Sequence, residues 1–431
     1  MHLISVSTDS TNYKIYECFI IQKNKKFLHS NISFKYKLDI LRRCLNIDLY
    51  KKNLKNYSKI IFIFVRYHMN NLFIVNTPFH LLTSFILSKG FFTEDNNYLA
   101  LIHPHGYEKW ASNPLMNYIS STQCGYKEIF PLIHFLSSRN KTVPFKTQVQ
   151  QVQNSIGKLH IDNVFLGSDI DPQNQLLVAS LDINNFNRFE DGLYSYYNEN
   201  RRRSKLDELF HKLKIWSIKK SAGIKNTKLY INTSTASDSK SGIADYMYKP
   251  ELLQRFSPNP IVITKDKINI AINDLKSKNF LQQKINNPAI LYLSQPLVEQ
   301  KLFSIEEELH CLQSLIKPLD NKGELLYKPH PNDSTDKINY FKKHIPQLTI
   351  FNSIEPAELL YSIEDNLIAV VSYQSTALMY TDKFANHKII SISLSDFAQS
   401  PMYYKYKEIM QNAGVYFPNR LDDIIKIFQK G

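Results

Sequence analysis

From Met69 to the C-terminus the sequence alternates short apolar runs with polar turns and helical stretches, and no other feature restricts the fold as much. Residues 71–75 read as a buried strand. Thr77 and Pro78 then supply an N-cap and a first-turn proline for an apolar helix that stops near Gly90. The same reading predicts strands at 98–102, 128–132, 163–166 and 176–181, with helices around 108–119 and 146–156. A second series predicts strands at 289–293, 325–328, 348–351, 368–372 and 388–393. Its helices include one opened by the capping box Ser304-Ile305-Glu306-Glu307, others at 334–343, 356–362 and 376–381, and a closing helix at 421–429. Strands that alternate with helices this way build a parallel sheet covered on both faces, so the expected class is α/β, with two doubly wound Rossmann-type domains facing a cleft.

Residues 226–260 interrupt the pattern with the polar run Thr233-Ser234-Thr235-Ala236-Ser237-Asp238-Ser239 and with Pro258 and Pro260. The expected division is therefore a basic extension at 1–68, a first domain at 69–240, a linker at 241–285 and a second domain at 286–431. The 431 residues are enough for two full cores. Cys18, Cys44, Cys124 and Cys311 lie far apart, which argues against a disulfide framework or a zinc site and for a reducing compartment. No signal peptide or bilayer-spanning run stands out, because the most apolar stretch, 60–65, ends at Arg66.

A formal net charge of +14 suggests nucleic acid, where cations neutralise phosphates. Two features weaken that reading. Only ten of the 53 basic residues are Arg, the side chain that grips phosphate as a fork. Thirteen Lys or Arg and four acids fall within residues 1–68, which leaves a net +5 for all that follows. The extension is expected either to adhere to anionic lipid through its lysines or to precede the native start.

Ligands of open parallel sheets bind beyond the carboxyl ends of the strands. Four places qualify. In Tyr327-Lys328-Pro329-His330-Pro331-Asn332-Asp333, two prolines hold an imidazole that could donate to a phosphate as a nucleotide leaves, though a His in a rigid turn is an equal reading. Ser372-Tyr373-Gln374-Ser375-Thr376 joins a strand to a helix, where hydroxyls and free N–H groups could hold an anion or simply cap the helix. Phe189-Glu190-Asp191-Gly192-Leu193 pairs two carboxylates, one of which could take a proton from a hydroxyl, although Glu-Asp-Gly is also an ordinary turn. Finally, Ser294-Gln295-Pro296 and Asn76-Thr77-Pro78 follow the first strand of each domain and should face the cleft. His80, one turn further on, reads as structural.

The order and spacing of Glu190-Asp191-Gly192, Lys328-Pro329-His330-Pro331 and, 45 residues after His330, Ser375-Thr376 resemble bacterial sialyltransferases of glycosyltransferase families 52 and 38. These share a D/E-D/E-G motif, an HP motif and a late Ser/Thr pair. The segment Asn71-Leu72-Phe73-Ile74-Val75-Asn76-Thr77-Pro78-Phe79-His80-Leu81 is also similar to the start of family 52 enzymes. The resemblance spans Met69 to the C-terminus and implies a GT-B fold, which the two-domain outline also suggests. It further implies inverting transfer of sialic acid from CMP-sialic acid to a sugar hydroxyl without a metal or other cofactor. Asp191 would be the general base, with Glu190 as partner or substitute. His330 would meet the leaving phosphate, and Ser375 and Thr376 would hold it. Glu355 would bind ribose or cytosine, and Lys328, Pro331, Ser372 and Gln295 complete the expected donor site.

Some relatives carry the acidic pair after Gln-Pro instead, where this chain has Gln295-Pro296-Leu297-Val298-Glu299, so Glu299 is the rival base. Asp169-Ile170-Asp171 has metal-binding spacing but reads as a loop between strands. Family 52 members cap lipooligosaccharide, commonly on galactose, whereas family 38 members extend polysialic acid capsules. The modest charge beyond residue 68 favours lipooligosaccharide as acceptor, with Arg201-Arg202-Arg203 read as a solvated helix start. The expected setting is the cytoplasm, including the inner face of the inner membrane, and a homodimer is compatible with it. The remaining alternatives are a polysialic acid synthase, a CDP-glycerol-type phosphotransferase and a nucleic-acid-binding protein.

Overall fold

In the computed structural model, the described residues are 2–6, 15–19, 61–64, 68–103, 112–133, 145–169, 171–197, parts of 206–224, 242–278, 285–319, 323–352, 355–398 and 405–430. Two compact units result, Met1–His68 and Met69–Gly431. In the first, β1 (His2–Val6) pairs antiparallel with both β2 (Ile15–Phe19) and β3 (Ile61–Phe64).

The second unit contains two all-parallel sheets. Strands β4 (Asn70–Val75), β5 (Asn96–His103), β6 (Tyr126–Ile133), β7 (Asn163–Leu166), β8 (Phe186–Phe189), β9 (Gly242–Met247) and β10 (Pro260–Val262) form the first, in the order β10-β9-β8-β7-β4-β5-β6. Strands β11 (Ala289–Leu293), β12 (Glu324–Lys328), β13 (Leu348–Ile350), β14 (Leu367–Ser372) and β15 (Ile390–Ser393) form the second, in the order β13-β12-β11-β14-β15. Strand order reverses between β4 and β7 and again between β11 and β14. Such reversals open the crevices in which ligands of doubly wound sheets settle.

Side-chain alternation explains the layers. In β4, Phe73 and Val75 face one core, shared with Leu81, Leu82 and Phe85 of the Pro78–Gly90 helix. Leu72 and Ile74 face another, shared with Val152 and Leu177. In β11, Ile290 and Tyr292 turn to a core containing Leu312, Leu315 and Phe341, while Leu291 and Leu293 turn the other way. Leu291 and Leu293 belong to the same cluster as Phe73 and Phe85, so one hydrophobic core runs from sheet to sheet.

The segment expected as a linker, 241–285, is part of the fold. It supplies β9, β10 and the Lys265–Ser277 helix. That helix lies so close to the Pro78–Gly90 helix that a Cβ on Gly90 would meet Lys267 Cβ at 3.0 Å. Lys265 Nζ reaches the Ala385 carbonyl at 2.6 Å. The polar run 233–239 lies outside the described residues. The predicted strand at 176–181 is instead the Pro172–Ser180 helix, capped by Asp171, whose side chain accepts from Gln173 N–H. The strand that follows, β8, has no counterpart in the sequence reading. The helix expected at 376–381 is a 3₁₀ turn, Thr376–Tyr380, running into a short Thr381–Phe384 helix.

Candidate functional site

The Glu190-Asp191-Gly192 triplet follows the carboxyl end of β8, and its two acids part company. Asp191 keeps 29% of its side chain exposed. Its backbone N–H donates to Ser195 Oγ at 2.7 Å, and its Oδ1 is hydrogen-bonded to His80 Nε2. His80 sits in the first turn of the Pro78–Gly90 helix, where its N–H donates to Thr77 Oγ1 at 3.1 Å. The ring is buried edge-on against Phe189, 5.4 Å between centroids, and lies so near Gly167 that a Cβ there would come within 2.6 Å of it. Among the described residues His80 Nδ1 is buried without a hydrogen-bond partner, and a buried N–H without an acceptor is costly. The ring proton therefore belongs on Nε2, pointing at Asp191.

Glu190 is fully buried, and its Oε2 accepts the Tyr248 N–H at 2.8 Å. Burial pushes its carboxyl up to about 8, against the opposing pull of the Tyr196 hydroxyl and the Tyr248 N–H. The acid raised is thus Glu190, and the cause is burial. A side chain so enclosed cannot stand in for Asp191 at an acceptor hydroxyl.

Beneath the triplet, Arg188 Nε and Nη2 bind Asp245 at 2.5 and 3.2 Å, and Arg188 Nη1 binds Asp169 at 3.0 Å. Arg255 adds a contact to Asp245 at 3.0 Å and donates from Nε to the Ser195 carbonyl at 2.6 Å. This buried network ties β7, β8 and β9 together directly under the site. It also corrects the reading of Asp169-Ile170-Asp171, which lies between β7 and a helix rather than between strands. Asp169 is bound to Arg188, and Asp171 caps its helix while accepting from Asn76 Nδ2 at 3.3 Å.

On the second sheet, His330 follows β12. Its Nδ1 accepts the Asn332 N–H at 3.2 Å, so here too the ring proton sits on Nε2. The His330 N–H donates to Asp333 Oδ2 at 2.9 Å, as does the Tyr327 hydroxyl, also at 2.9 Å. Asp333 is held in turn by buried Lys337, whose Nζ lies 3.0 Å from Asp333 Oδ1, 3.0 Å from the Gln295 carbonyl and 3.1 Å from Glu308. Burial lowers the His330 pKa, with Asp333 pulling upward, and so favours the neutral donor. Lys328, at the end of β12, is pushed down to about 8 by burial, against the pull of Glu355 and Glu358.

The remaining residues divide. Ser375 Oγ caps the turn after β14, accepting the Ala377 N–H at 3.3 Å, and Thr376 Oγ1 accepts the Leu193 N–H at 3.2 Å. The Ser/Thr pair and the acidic triplet, 183 residues apart in sequence, therefore meet. Gly192 allows that approach: its φ is +82°, and a Cβ would lie 2.9 Å from Thr376 Oγ1. Glu355 Oε1 accepts from Asn113 Nδ2 at 2.7 Å, a second bridge between loops of the two sheets. Ser372, expected at the donor, is buried and donates to the Leu293 carbonyl at 2.8 Å, so it braces β11 against β14 instead. Gln295 contributes its carbonyl to Lys337, and Pro331 is exposed in the His330 loop. Glu299, the rival base, accepts the Ser334 N–H at 2.8 Å and faces Lys337 at 3.6 Å, so it serves the start of the Thr335–His344 helix.

The sequence alone reads His80 as structural, quotes Asp333 in the His-Pro motif without giving it a role, and does not single out Asn113, Lys337 or Glu358. A signal for His80 existed, because a residue three positions after an N-cap that closes a strand is held at the strand's carboxyl end. Asp333 and Lys337 are spaced as a helical i, i+4 pair.

A family model described as "Alpha-2,8-polysialyltransferase (POLYST)" matches residues 71–393. No curated protein matches the chain. Among solved structures, a Photobacterium sp. JT-ISH-224 2,6-sialyltransferase in complex with CMP and lactose aligns with a TM-score of 0.44 at 14% identity, covering 81% of this chain and 78% of that one. A Neisseria meningitidis UDP-GlcNAc 2-epimerase aligns with a TM-score of 0.43 at 13% identity, covering 84% and 99%. The forosaminyltransferase SpnP aligns with a TM-score of 0.43 at 11% identity, covering 84% and 89%.

Proposed function

The chain belongs to the alpha-2,8-polysialyltransferase family, a family of glycosyltransferases, and we propose that it moves a sialyl residue from CMP-sialic acid to a glycan hydroxyl in one inverting step. The observation that carries this reading is the seating of Asp191, hydrogen-bonded to His80 and placed beside the Thr376 contact at the carboxyl edges of both sheets.

In the proposed reaction, an acceptor hydroxyl oxygen attacks the anomeric carbon of the donor while Asp191 takes its proton. His80 Nε2–H occupies Oδ1, which leaves Oδ2 to receive that proton. As the bond between the anomeric carbon and the phosphate oxygen breaks, negative charge collects on CMP. The His330 Nε2–H donates to it, and an anion beside Lys328 restores the ammonium charge that burial weakens. Ser375 and Thr376 hold the phosphate, and Glu355 hydrogen-bonds ribose or cytosine. The acceptor's proton thus ends on Asp191, and the charge left on the departing CMP is met by His330 and Lys328.

The family description favours a sialic acid already on the acceptor. A galactose-ended lipooligosaccharide is the second reading, favoured by the net +5 of residues 69–431, which offers little attraction to a polyanionic product. Incubation with CMP-sialic acid, or with CDP-glycerol, and a panel of galactosides and sialylgalactosides, followed by mass spectrometry, tests donor and acceptor together. A mass gain of one sialyl unit that Asp191→Ala abolishes while CMP binding persists is the expected result. Glycerol phosphate transfer, or turnover unaffected by that substitution, would overturn it.

A further inference from the structure

The eight described residues between Leu206 and Ser221 are helical, and the apolar ones face water. Leu206, Leu209, Phe210, Leu213 and Trp216 are helical and 64%, 53%, 61%, 52% and 60% exposed. At 100° per residue these five positions fall within an arc of about 120°, the stripe that a globular protein ordinarily buries. Ser217, Lys220 and Ser221 are exposed too, so every described position of this helix is open to solvent. Scattered surface leucines need no explanation, but five large apolar side chains on one stripe do.

The sequence around the stripe is cationic. Between Arg201 and Lys220 stand eight Lys or Arg against two acids, with Arg201-Arg202-Arg203 leading in and Lys219-Lys220 leading out. Arg201, Arg202 and Arg203 lie outside the described residues, and only their charge enters the argument. Lys220 Nζ lies 5.1 Å from the Trp216 ring centroid, so the stripe ends in an indole with an ammonium over its face. A Leu/Phe/Trp face in a lysine-rich stretch of sequence is the chemistry of a helix lying in the plane of an anionic membrane surface. There the apolar side chains enter the acyl boundary, the indole sits at headgroup depth and the cations meet lipid phosphates.

We propose that this helix docks the protein flat on an anionic phospholipid surface. Charge decides against a second copy of the chain, because a two-fold pairing through the stripe would bring two such cation clusters together. Length and charge decide against insertion across the bilayer. A helix as long as the stretch from Leu206 to Ser221 spans about 24 Å, less than the hydrocarbon core, and Lys212 and Lys214 fall within that stretch of sequence. The inference stands apart from the sialyl-transfer reading, since vesicle binding needs neither donor nor acceptor.

The test is co-sedimentation of the full chain with phosphatidylcholine vesicles, with and without about one third phosphatidylglycerol. The protein is expected to pellet with the anionic vesicles, to leave the neutral ones in solution and to dissociate as salt rises. Trp216 emission should shift to the blue on binding, and the shift should vanish in Trp216→Phe. Leu209→Glu combined with Phe210→Glu should lower the vesicle partition roughly tenfold or more, because two large side chains no longer leave water. Thermal melting of the double variant serves as the folding check, and Leu213→Ser with Trp216→Ser is an independent second pair. Three results would each overturn the proposal: no binding to anionic vesicles, undiminished binding by both folded double variants, or a solution dimer that these variants dissolve.

Discussion

The side chains that set the candidate chemistry are each fixed by a neighbour. Asp191 depends on His80, which donates from Nε2 because its other nitrogen has no partner among the described residues. His80→Gln preserves a donor near that place and His80→Ala removes it. In steady-state assays the alanine variant is expected to lose roughly 10²-fold in kcat, with CMP affinity unchanged and the acidic limb of the pH–rate profile displaced. The glutamine variant should recover part of the loss, and a purely structural role for His80 would leave the pH profile in place. His330 depends on Asp333, so Asp333→Ala should lower kcat about tenfold while also destabilising the protein, since Lys337 and the Tyr327 hydroxyl lose the same partner. Gly192→Ala places a Cβ at φ +82° and 2.9 Å from Thr376 Oγ1. A cost of about 1–3 kcal/mol is expected, read as a lowered denaturant midpoint.

Among the elements, legibility followed local signals. The strands β4, β5, β7, β11 and β12 were readable because each is a near-continuous apolar run bounded by turns, the mark of a strand buried on both faces. The capping box at Ser304 and Glu307 forms as its four residues suggest, with both reciprocal bonds present. The Pro172–Ser180 helix was misread because its apolar half, Leu176 to Ala179, looks like a strand in isolation. Its start, Asp171-Pro172, carries the same cap-and-proline signature as Thr77-Pro78. Asp171→Ala should therefore destabilise by about 1 kcal/mol, measured as a fall in Tm. Strands β8 and β9 were hidden for a different reason. Their alternation is broken by Arg188 and Asp245, charged residues that can be buried only because they bind one another across the sheet. No local pattern reports a pairing between residues 57 positions apart. The same limit applied to the site: the three motifs could be seen, but the contact of Thr376 with Leu193 and the bridge from Asn113 to Glu355 exist only after folding.

For the molecule as a whole, buried acids govern how stability responds to pH. Glu190 is raised to about 8, Glu358 to about 7 and Glu308 to about 7, each chiefly by burial. A carboxyl whose folded pKa lies above its unfolded value binds protons more tightly in the native state. Its contribution is full below about 4.5 and is lost as pH rises through 7 to 8. Melting temperature should accordingly decline across that interval, and Glu190→Gln, which mimics the protonated form, should flatten the decline. The core that runs unbroken from Phe73 to Leu291 has a consequence for engineering. The half that carries the His330 loop is not a cartridge. Transplanting residues 286–431 onto another scaffold would lay bare the face that Leu291 and Leu293 share with the first sheet, so new donor preferences are better sought by changing loops in place than by exchanging halves.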